Sequence, residues 1–154
     1  FQEINFHGQF YSIQVLYSGI GYVVGIGGES GLEGVIYKTE DGGVSWYKLY
    51  NLPQKTILEF NDLCVINEHT VYVVGTSTQG CGKEAIMIST HNGGKSWDVV
   101  HTPSHLQGMT PNLQSITCLN YSGSYCDQEH IWTVGGHLAN SKEENKILYR
   151  GTYH

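Results

Sequence analysis

The chain has 154 residues, 40% apolar and only 14% charged, with 14 acidic against 8 basic side chains and a formal charge of -6. That length and apolar content suffice for a packed core. The acidic balance, with Arg150 as the single arginine, excludes a nucleic-acid surface, which needs a basic stripe to neutralise phosphates, and no run of about 18 apolar residues offers a transmembrane helix.

Gly numbers 20 and Tyr 11, a balance that suits short strands and turns better than helices. From the N-terminus, Phe1-Gln2-Glu3-Ile4-Asn5-Phe6 lays over Trp46-Tyr47-Lys48-Leu49-Tyr50-Asn51 and over Trp97-Asp98-Val99-Val100-His101-Thr102. The segment 1–6 is thereby predicted to be an outer strand. Phe1 as first residue fits either a mature product after removal of a targeting peptide or an excised fragment. Unit one then supplies strands at Ser12 to Leu16, Gly21 to Gly27, Gly34 to Thr39 and Trp46 to Leu49. After a connecting loop from Asn51 to Glu59, unit two repeats them at Asp62 to Ile66, Thr70 to Thr76, Ala85 to Thr90 and Trp97 to His101, with Ser77 to Lys83 as a polar loop. A second connector, Thr102 to Asn112, carries Pro103, Gly108 and Pro111; unit three follows with Ser115 to Asn120, His130 to Gly136, a loop from Leu138 to Asn145, and Lys146 to Arg150.

The repeat is explicit in the residues. Gly21-Tyr22-Val23-Val24-Gly25 returns as Val71-Tyr72-Val73-Val74-Gly75 and as Ile131-Trp132-Thr133-Val134-Gly135. Downstream, Thr39-Glu40-Asp41-Gly42-Gly43-Val44-Ser45-Trp46 returns 51 residues later as Thr90-His91-Asn92-Gly93-Gly94-Lys95-Ser96-Trp97. A period of that length marks a repeat architecture whose units bury their apolar faces on one another.

Both boxes fit Ser/Thr-x-Asp-x-Gly-x-Ser/Thr-Trp, with Asn92 in the Asp place of the second. This pattern resembles the Asp-box of bacterial sialidase repeats and of related propellers such as sortilin-type receptors and photosystem assembly factors. The resemblance implies an all-β fold, a β-propeller of four-stranded antiparallel blades at approximately 12–50, 62–101 and 115–150, with 1–6 completing the last blade. Within the boxes, Thr39, Asp41, Gly43, Ser45 and Trp46, and Thr90, Asn92, Gly94, Ser96 and Trp97, take structural roles. Asp or Asn accepts turn amides, Gly supplies positive φ, and Trp buries a ring at the next strand.

Three blades are fewer than the roughly four to eight that enclose a channel. A homodimer, further residues of a longer parent, or a partner subunit is expected to complete the ring, since an open arc leaves an apolar blade face at each end.

Four cysteines, Cys64, Cys81, Cys118 and Cys126, permit three pairings if all are oxidised. Cys118 and Cys126 flank an insertion in unit three, so a disulfide between them would close that hairpin, with free thiols as the alternative reading. Asn120-Tyr121-Ser122 at the same tip is a formal glycosylation sequon. Together with the resemblance, these features point to an exported protein, whether secreted, periplasmic or in an organelle lumen.

Catalysis finds little footing. Sialidases use three arginines on the substrate carboxylate, and Arg150 cannot build that clamp alone. Glu29, Glu33, Asp62 and Glu84 are candidate acids for another glycosidase, yet none lies in a distinctive motif. His101 and His105 are split by Pro103, so no helix brings them together over a metal. Neither a nucleophile elbow nor a phosphate loop is present. No cofactor or metal is expected. The function implied is a non-catalytic binding or assembly module for a protein partner, with Tyr47, Tyr50, Tyr121, Tyr125 and Tyr153 as candidate contacts. The alternatives are a lectin-like propeller that binds glycans and part of an Asp-box glycoside hydrolase.

Overall fold

The structure is a computed structural model that describes residues 8–28, 33–49, 52, 58–79, 82–100, 111–120, 129–137 and 147–153. Among these residues every regular element is a β-strand. The first sheet runs β1 (Gly8–Val15), β2 (Gly21–Gly27), β3 (Glu33–Thr39) and β4 (Tyr47–Lys48) in sequential antiparallel order. The second repeats that order with β5 (Leu58–Val65), β6 (Val71–Gln79), β7 (Gly82–Thr90) and β8 (Asp98–Val99). The third holds β9 (Pro111–Asn120), β10 (Glu129–His137) and β11 (Ile147–Tyr153). The expected outer strand at 1–6 lies outside the described residues.

These are consecutive propeller blades, and β1, β5 and β9 are their inner strands. Side chains alternate across each sheet, so one face of a strand meets the preceding blade and the other the following blade. Tyr22, Val24 and Ile36 of the first blade pack against Leu63, Val65, Val71, Val73, Ile86 and Ile88 of the second. On its opposite face, the second blade packs Cys64, Tyr72, Val74 and Met87 against Leu113, Ile116 and Ile131 of the third.

One device recurs in all three inner strands and went unread in the sequence. The register slips between Phe10 and Ser12, between Phe60 and Asp62, and between Leu113 and Ser115, leaving Tyr11, Asn61 and Gln114 as bulge residues. The bulge pushes the strand backbone onto its neighbour. At Gly25, Gly75 and Gly135, a Cβ would collide with the carbonyl oxygens of Gln9, Glu59 and Asn112. The glycine that closes each Val-Gly motif is therefore required by close backbone approach, at ordinary φ.

Because the bulges let pairing continue past them, the inner strands start earlier than expected, at Gly8, Leu58 and Pro111. Pro111 and Asn112 thus leave the expected connector and join β9. The polar segment expected as a loop at 77–83 is instead the end of a long hairpin, with Ser77 opposite Glu84, Thr78 opposite Lys83 and Gln79 opposite Gly82.

The expected bond between Cys118 and Cys126 is also corrected. Cys118 pairs with Cys64, 54 residues away and with a Cα separation of 6.2 Å. Position Cys64 faces the third blade and Cys118 faces the second, so the bridge joins two inner strands across a seam. A local reading of spacing favoured the nearer cysteine and could not see this juxtaposition. Cys81 and Cys126 lie outside the described residues.

Candidate binding surface

Antiparallel order places the β1–β2 turn and the box at 39–46 on the same end of the first blade, and the second blade repeats this. Gly42 donates its amide to the Gly19 carbonyl at 2.9 Å, and Gly93 donates to His69 at 2.9 Å. Each box is thereby tied to the preceding turn of its own blade.

Inside the first box, the Thr39 hydroxyl donates to Asp41 Oδ1 at 2.8 Å and accepts the Gly43 amide at 2.9 Å. Asp41 also accepts the Ser45 amide at 2.9 Å and the Ser45 hydroxyl at 2.5 Å. Gly42 and Gly43 stand at φ 74° and 92°, where a side chain is strained. Bonds from Ser45 and Thr39 hold the Asp41 carboxyl at about 2, below its ordinary 3.8. The second box copies the pattern with an amide. Asn92 Oδ1 accepts from Thr90 and from the Ser96 amide, while its Nδ2 donates to the Ser96 hydroxyl at 2.8 Å. Gly94 donates to Thr90 at 2.9 Å. The hydrogen-bonding groups of Asp41 and Asn92 are engaged within their own turns.

The two tryptophans differ. Trp97 is buried in the core between the first and second blades, and its indole N–H has no acceptor among the described residues. Trp46 is half-buried, donates to the Gly43 carbonyl at 3.1 Å, and lines an open hollow of about 350 Å³ with Phe10, Tyr11, Ser12, Ile13 and Val23.

A polar cluster at the box end joins Lys38 and Glu40, which the sequence did not single out, to Tyr47. Buried Lys38 pairs with exposed Glu40 at 2.7 Å and sits 5.7 Å from the centre of the Tyr22 ring. The Tyr47 hydroxyl bonds to the same carboxylate, and these bonds from Lys38 and Tyr47 lower the Glu40 pKa. Burial, then the charge field of its neighbours, pushes the Tyr22 phenol up to about 12; burial and Glu40 do the same for Tyr47. Around this cluster, Tyr17, Val44, Tyr47, Glu68, His69 and His91 are exposed. Tyr47 is thus the one described candidate tyrosine with a placed side chain. Tyr50, Tyr121 and Tyr125 lie outside the described residues, and only the backbone of Tyr153 is described.

The candidate acids are scattered. Asp62 is engaged in the seam to the third blade, accepting the Ser115 hydroxyl at 2.7 Å and the Ile116 amide at 2.9 Å. Glu33 lies 3.6 Å from Lys48, and Glu84 begins the equivalent part of β7. Glu29, His101 and His105 lie outside the described residues. Among the described residues, no three His, Cys, Asp or Glu side chains converge as metal ligands, and no helix is long and apolar enough to cross a membrane.

Antiparallel four-stranded blades packed face to face about their inner strands define a β-propeller. Among solved structures, the chain is similar to YCF48 bound to D1 peptide, with a TM-score of 0.53 at 16% sequence identity over 89% of this chain and 39% of that one. At that identity the likeness speaks for the fold, and the chain spans 39% of the other's length. No family model matches the chain, and no curated relative matches it in sequence.

Proposed function

We propose that this chain is a non-catalytic binding module, an Asp-box propeller segment that presents the box end of its blades to a protein partner. The observation that carries this reading is the propeller fold it shares with a protein whose solved structure holds a bound peptide. Two features of the residues support it. Asp41 and Asn92 spend their hydrogen-bonding groups on their own turns, as corner pieces do. Exposed Tyr17 and Tyr47 flank the first box, and tyrosine offers contact area at low entropic cost. An exported location accompanies the proposal, since a disulfide between blades persists in oxidising compartments.

Peptide and glycan arrays probed with the 154-residue chain test it. Saturable peptide binding that is weakened by Tyr17→Ala and by Tyr47→Ala is the expected result. Binding to a defined sugar in place of peptide, or turnover of fluorogenic glycosides, would replace this reading with the lectin or the hydrolase.

A further inference from the structure

The two boxes differ at a position where the difference changes covalent chemistry. The first reads Asp41-Gly42 and the second Asn92-Gly93, and Asn92 is the one asparagine in the sequence followed by glycine. In such a pair the glycine amide nitrogen can attack the asparagine side-chain carbonyl carbon, because no Cβ obstructs the approach. A five-membered imide forms and ammonia leaves. Water then opens the ring to aspartate or to isoaspartate, and no oxidant or reductant takes part.

In the folded box both reacting groups are held. The Gly93 N–H, which must give up its proton, is buried and donates to the His69 carbonyl at 2.9 Å. That acceptor turn is itself braced, since Asn67 Oδ1 accepts the His69 and Thr70 amides, each at 2.9 Å. The Asn92 side chain is fixed from both ends: Oδ1 accepts the Thr90 hydroxyl at 2.9 Å and the Ser96 amide at 3.0 Å, and Nδ2 donates to the Ser96 hydroxyl. Ring closure therefore requires a local opening that frees both groups together. Asn92 is exposed, so water and base reach it once the turn opens.

We infer that Asn92 is a guarded modification site, converted by hydrolysis of its amide whenever the second box opens and preserved while Gly93 stays bonded to His69. The first box has the same tie, from Gly42 to Gly19. Its Asp41 carboxyl is ionised at neutral pH, and an ionised carboxylate resists the attack that an amide admits. The aspartate product has a template in Asp41, which accepts both the amide and the hydroxyl of Ser45 as position 92 would those of Ser96. Isoaspartate adds a methylene to the main chain and breaks the spacing of the turn. Either product adds a negative charge to the box end. The site follows from the turn alone and does not depend on what that end binds.

Peptide mapping by mass spectrometry tests this on the 154-residue chain incubated at mildly alkaline pH. Conversion at Asn92 is expected to be at least about tenfold slower in the folded chain than in guanidinium chloride, as gating by local opening requires. Thr90→Val, which removes bonds to Asn92 Oδ1 and to Gly94, is expected to speed conversion about fivefold in the folded state, the order set by loss of one hydrogen bond. Asn67→Ala, which unbraces the acceptor turn, should act in the same direction and replaces Thr90→Val if that variant does not fold. Thr39→Val makes the Thr90 change in the first box and is expected to leave the Asn92 rate as it is. Equal rates with and without denaturant, no conversion at Asn92 in the unfolded chain, or equal acceleration by Thr39→Val and Thr90→Val would each overturn the inference.

Discussion

The seam between the first and second blades and the seam between the second and third share one register but are held by different chemistry. In the first, Gln14 accepts the Val65 amide at 2.9 Å and donates back to the Val65 carbonyl at 3.4 Å, while Trp97 fills the apolar interior. In the second, the same position holds Cys64, bonded covalently to Cys118. Polar bonds join the same two blades toward the start of the inner strands. Asn61 donates to Asn112 Oδ1 and to the Leu113 carbonyl, Thr76 donates to Asn112, and Asp62 accepts from Ser115 and Ile116. A repeat thus conserves where blades touch and leaves open how they are joined. The larger apolar cluster has no covalent tie, and the smaller one is stapled.

Reducing the Cys64–Cys118 bond, or Cys64→Ala, is the strongest way to break this contrast. A bridge across 54 residues contributes about 4 kcal/mol by chain entropy. Hydrogen exchange is expected to lose protection across β9, β10 and β11 first, with the first seam holding. Loss in β1 to β4 instead would mean that the staple supports the whole arc. On the first seam, Trp97→Ala should cost about 3 kcal/mol in urea unfolding, at the low end for a buried Trp because truncation also removes an N–H that lacks an acceptor. Trp46→Ala, half-buried beside the hollow of the first blade, should cost about 1 kcal/mol. Equal costs would contradict the difference in burial.

The smallest effect distinguishes the two boxes. Asp41 titrates at about 2 against an ordinary 3.8, so its stabilising contribution is complete above the ordinary value and is lost as pH falls toward 2. Asn92 cannot titrate there. Melting temperature followed by acid titration should therefore flatten between these values in Asp41→Asn, with little change at neutral pH because Asn92 shows that an amide keeps the turn bonds. An unchanged acid limb in that variant would assign the pH dependence to other carboxylates.

Much of the blade plan was legible because its signals are local. The expected strand Gly21 to Gly27 has the bounds of β2, and the glycine pairs at 42–43 and 93–94 stand at positive φ. The bulges at Tyr11, Asn61 and Gln114 were not legible, since each is defined by its partner strand; the signal was present in the glycines that face them. Asp62 looked like a candidate acid in isolation, and alignment with Ser12 and Ser115 would have marked it as a seam position. Tyr47 was a candidate contact, but its partners Lys38 and Glu40 escaped because their cluster exists only once β3 and β4 pair.

What the sequence determined by itself was the repeating unit, because turn chemistry and alternating apolar residues act over a few residues and need no distant partner. Tertiary structure alone decided which cysteine meets Cys118 and which Trp is buried. Those outcomes depend on the stacking of sheets about 50 residues apart, and two copies of one motif become different objects when they pack against different neighbours.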